Sequence, residues 1–124
     1  MPPEDPSSFR WLQPGELLAI PVPTAALQLD ALLRHLDIDA EFQDWPSATI
    51  HLAQARATWQ RLEPALMRRA GARTYLKGAR KAAREMARAL DRAADAVRAG
   101  DRARTMRLSK AAISQIEAIQ RVFE

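Results

Sequence analysis

Between residues 76 and 97, Leu76, Ala79, Ala83, Met86, Leu90, Ala93 and Val97 recur at alternating spacings of three and four. That is an unbroken heptad seam, and only a helix packed along its length against other helices uses one. Alanine, the strongest helix former and the smallest side chain with a Cβ, dominates the seam and the chain. The spacing predicts a helix over 74–99, capped by Thr74 and about 40 Å long at 1.5 Å per residue. Ala99-Gly100-Asp101 then places a C-terminal glycine directly before an N-capping aspartate. So short a connection predicts an antiparallel neighbour. The neighbour is a helix over 102–123, with Leu108, Ala112, Ile116, Ile119 and Phe123 on one face and Met106 and Ile113 widening it.

Upstream, Asp44 or Ser47 can cap a helix whose stripe is Leu52, Ala55, Trp59, Leu62 and Leu66. Pro64 falls inside this stripe and predicts a kink or restart near Glu63; Gly71 closes the helix. Trp45 and Trp59 read as core or staple residues, and Trp11 as a contact residue. After Thr24, a good cap, Leu29, Leu32, Leu33 and Leu36 predict a short helix over 25–36. Two further segments look extended. Residues 16–22 are a short apolar run ended by Pro21 and Pro23, and residues 36–43 alternate apolar and polar at the strand period.

The expected fold is mainly α: an antiparallel helical bundle of three C-terminal helices and one N-terminal helix. A small two-strand β element in the N-terminal third accompanies it. Residues 1–8, with three prolines and adjacent acids, read as a disordered tail. Residues 9–124 form a single domain, with an arm, helix and short strands over 9–45 and a helical body over 46–124.

Composition narrows the function classes. The chain has no cysteine, so disulfides, thiolate catalysis and sulfur-based zinc sites are excluded. Its first residues are neither basic nor apolar, and no apolar run of membrane-spanning length occurs, so a cytoplasmic address without a membrane is expected. No phosphate loop and no G-x-S-x-G motif is present, and His35 and His51 have no Glu or His three or four residues away. Catalytic, cofactor and metal sites are therefore not expected.

Charge is distributed unevenly. The net charge is +4, but the acids gather in residues 1–45 and the bases in 68–110. Arg73, Lys77, Arg80, Lys81, Arg84 and Arg88, continued by Arg92 and Arg98, fall within an arc of about 120° on one helix. They are a candidate anion or partner surface, lacking the interleaved aromatics of a single-strand stacking platform. Asp37, Asp39 and Glu41 form an acidic ladder that would share one face of a strand. It is a candidate docking surface for the basic stripe, within or between subunits. Its D-x-D-x-E spacing is not a calcium loop, because Phe42 stands where glycine is needed.

Residues 9–19, Phe9-Arg10-Trp11-Leu12-Gln13-Pro14-Gly15-Glu16-Leu17-Leu18-Ala19, resemble the opening strands of dual-specificity-phosphatase-like domains. Such enzymes depend on a cysteine and a phosphate loop, neither of which this chain has, so nothing carries over. The expected function is a non-catalytic protein–protein interaction or assembly module acting as a homo-oligomer. The alternative is a nucleic-acid-associated protein that binds phosphate backbone non-specifically through the basic helix face.

Overall fold

The computed structural model describes residues 22–71 and 76–122. They form four helices: α1 (Val22–Glu41), α2 (Trp45–Gly71), α3 (Leu76–Arg98) and α4 (Arg102–Val122). Each packs chiefly on two neighbours in a ring, α1 on α2 and α4, and α3 on α2 and α4, with a smaller contact between α2 and α4. Helices α1 and α3 therefore stand across the diagonal. The interior is built from the expected stripes. Leu52, Ala55, Trp59, Leu62 and Leu66 of α2 are buried, as are Ala79, Ala83, Met86, Leu90, Ala93 and Val97 of α3 and Ala112, Ile116 and Ile119 of α4. Ala82, Ala89 and Ala96 are buried too, so α3 meets both neighbours with small side chains. Phe123, Thr74 and residues 16–21 lie outside the described residues.

The second strand is not formed. Residues 36–41 are the end of α1, and no strand occurs among the described residues. The alternation that suggested a strand consists of two pairs spaced four apart. On a helix, residues four apart lie one above the other. Leu36 and Ala40 are fully buried, while Ile38 and Phe42 are half or more exposed. Eight residues are too few to separate these periods, and the buried pair continues the seam Ala26, Leu29, Leu33 on the inner face of α1. The helix is accordingly longer than the expected 25–36 at both ends.

Pro64 lies within α2, which continues through it. Pro64 and Gln60 are both exposed, so the carbonyl that loses its donor can turn to water. Asp44 is the cap, its carboxylate accepting the Ser47 amide at 3.3 Å.

Two connections at one end of the bundle share a design. After α3, the Gly100 amide donates to the Val97 carbonyl (3.0 Å) and the Asp101 amide to Ala96 (2.9 Å). After α1, the Gln43 amide donates to Ala40 (3.0 Å) and the Asp44 amide to Asp39 (2.8 Å). Both are Schellman caps with a left-handed residue, Gly100 at φ 63° and Gln43 at φ 56°. Each is followed by an aspartate that caps the next helix; Asp101 accepts the Arg104 amide at 3.0 Å.

Candidate interaction surface

The basic stripe is presented outward. Arg80, Lys81, Arg84, Arg88, Arg92 and Arg98 are exposed on α3, opposite its alanine seam. Arg73 and the side chain of Lys77 lie outside the described residues. The ion pairs described for the stripe are made within α3: Arg88 with Glu85 at 4.0 Å, and Arg98 with Asp95. Arg56 of α2 approaches Asp91 at 3.2 Å and ties the neighbouring helix to the stripe's edge.

The acidic residues do not form a ladder. On α1, Asp37 and Glu41 are one turn apart and Asp39 points some 160° away from Asp37. Asp37 is half-buried and pairs with Lys110 of α4 at 3.7 Å. Among the described residues its Oδ1 has no hydrogen-bond partner, and neither has the hydroxyl of fully buried Thr105. Asp39 meets His51 of α2, with His51 Nδ1 2.5 Å from Asp39 Oδ2. The Glu41 carbonyl accepts Arg102 Nε at 3.1 Å. These acids and the basic stripe stand on diagonally placed helices, α1 and α3.

His35 stacks on His51, with ring centroids 5.1 Å apart. Residues 35 and 51 are equidistant from the turn at Gln43, so an antiparallel α1–α2 hairpin brings them level. That signal was available in the numbering, as was Asp39 one turn beyond His35. Among the described residues no three His, Cys, Asp or Glu side chains converge in a way that could hold a metal ion.

The feature that sequence periodicity missed is on α1. Leu27 (60 %), Ile38 (50 %), Phe42 (75 %) and Ile50 (58 %) are the large apolar side chains most open to solvent among the described residues. The first three belong to α1 and its cap, where Phe42 stays in helical register through its amide's bond to the Ile38 carbonyl (3.1 Å). With exposed Ala31, they fall within an arc of about 60°, opposite the buried seam. Helix α1 thus carries large apolar side chains on its outer face as well as its buried one, with exposed Arg34 and His35 between Ala31 and Ile38. Beside Leu27, a groove of about 440 Å³ runs between α1 and α4, lined by Leu27, Asp30, Arg34, Ile113, Ile116 and Glu117. Arg34 Nε donates to Asp30 at 2.8 Å, and this bond, with the carboxylate's charge, raises the arginine's pKa above its ordinary value.

No family model matches the chain, and neither the curated proteins nor the solved structures contain a match to it. None of the described helices is long and apolar enough to cross a membrane.

Proposed function

We propose that the chain is a non-catalytic protein–protein interaction or assembly module that self-associates. The observation that carries this reading is the outward apolar stripe of α1. Burying Leu, Ile and Phe side chains is worth roughly 1.5–3 kcal/mol each, and a helix that leaves three of them half or more exposed has that surface in reserve. Exposed apolar side chains gathered on one face mark interaction sites when they form a sizeable patch. Sedimentation equilibrium of the full chain across micromolar concentrations tests it. A mass above 13.9 kDa that rises with concentration is expected, and a mass fixed at 13.9 kDa refutes it.

A second reading is favoured by the exposure of Arg80, Lys81, Arg84, Arg88 and Arg92 along one helix. Such a surface suits a phosphate backbone, bound without base recognition and weakened steeply by salt. Titration of labelled duplex at low and at physiological salt tests that reading.

A further inference from the structure

We infer that the partner on the α1 stripe is a second copy of this chain, laid antiparallel across a two-fold axis that passes between Arg34 and His35. This rests on the assembly reading above and adds the surface and its symmetry. An isologous contact must be self-complementary, each residue meeting the one equally far beyond the axis. The stripe has that property. Leu27 and Phe42 are equidistant from the midpoint of Arg34 and His35, and so are Ala31 and Ile38. An antiparallel copy therefore sets the partner's Phe42 against Leu27 and the partner's Ile38 against the small Ala31. The same register brings Phe42 to the level of the groove between α1 and α4, beside Leu27.

Although α1 carries four acids and one arginine, three of the acids are compensated within each copy. Asp30 is neutralised by Arg34 at 2.8 Å, Asp37 faces Lys110 at 3.7 Å, and Asp39 is held by His51. These partners all belong to the same copy, so two α1 helices can approach without leaving those acids uncompensated. The basic stripe of α3, across the diagonal, stays on the outer side of each copy.

The test combines variants with directed cross-linking in the full chain. Ile38→Asp and Phe42→Asp, both at exposed positions, are expected to weaken association at least tenfold with helicity retained. Arg84→Glu, on the opposite corner, leaves association unchanged. The chain has no cysteine, so single introduced thiols report geometry cleanly. Ala31→Cys mixed with Ile38→Cys forms a mixed disulfide. Ala31→Cys alone does not, because its two copies lie about 10 Å apart along the axis, beyond disulfide reach. An oligomer that survives Ile38→Asp and Phe42→Asp, or is lost in Arg84→Glu, overturns the inference but leaves the assembly reading standing. Self-cross-linking of Ala31→Cys overturns it in favour of a parallel pair. A chain that is monomeric at every concentration overturns both, and a lower melting temperature in monomeric Ile38→Asp would assign the stripe to residues 1–21 of the same chain.

Discussion

The two Schellman caps permit a paired experiment in which similar changes have opposite signs. At φ 63° Gly100 occupies the left-handed region at no steric cost, whereas Gln43 at φ 56° carries a Cβ there. An L side chain in that region costs about 1–2 kcal/mol. Glycine offsets part of the relief because its unfolded state is freer, by about 0.4–1 kcal/mol. Gln43→Gly should therefore stabilise the bundle by about 0.5–1 kcal/mol. Gly100→Ala should destabilise it by a similar amount, since a Cβ there would sit 3.6 Å from Trp45 Nε1 and 3.8 Å from Cε2, ordinary contact that adds no clash. Urea unfolding of both variants, fitted with an unchanged m-value, reads the two differences directly. Near the thermal midpoint each corresponds to a few degrees for a domain of this size. The reasoning fails if Gln43→Gly is destabilising, or if both variants move in the same direction.

Three further outcomes are expected. Thr105→Val should raise stability by about 1 kcal/mol in chemical denaturation, because a fully buried hydroxyl with no partner among the described residues is replaced by a methyl of the same shape. Ala83→Leu should lower it by about 1–3 kcal/mol through overpacking of a buried site; an unchanged melting temperature would mean that α3 has room there. Arg80→Glu with Arg84→Glu should leave the circular dichroism spectrum unchanged, both residues being exposed, and should abolish any duplex binding. Binding that persists in this double variant would remove the α3 stripe from the nucleic-acid reading.

Much of the bundle is legible in the residues because the α2, α3 and α4 stripes have the helical period over many turns. The Gly100-Asp101 connection is equally plain, since glycine advertises a left-handed cap. The matching cap after α1 is hidden because glutamine occupies it. Without that stop signal, the leucine spacing ends the helix at Leu36 and the remaining residues take on a strand's alternation. The same misreading hid the apolar stripe. Ile38 and Phe42 belong to the buried face of a strand but to the outer face of a helix, so their exposure emerges only once α1 is known to run to Glu41. The His35–His51 stack and the Asp37–Lys110 pair depend on which helices adjoin, and periodicity within one helix is silent on that.

Placing α1 and α3 on opposite corners also explains how a helix tolerates a stripe of like charges. Arg80 with Arg84, Arg84 with Arg88 and Arg88 with Arg92 are like pairs four apart, each costing about 0.2–0.5 kcal/mol and less in salt. Together they cost about 1 kcal/mol. Burial of Met86, Leu90 and Val97 on the other side of the same helix contributes several times that. The stripe thus needs no acidic partner to be stable, and three of the four acids of α1, Asp30, Asp37 and Asp39, already pair with Arg34, Lys110 and His51. Stability alone neither requires nor forbids a ligand on α3. The exposed apolar face of α1 is different, because uncovered apolar surface contributes nothing until something covers it. Of the two surfaces, only α1 gains directly from burying its side chains, and that places self-association ahead of phosphate binding.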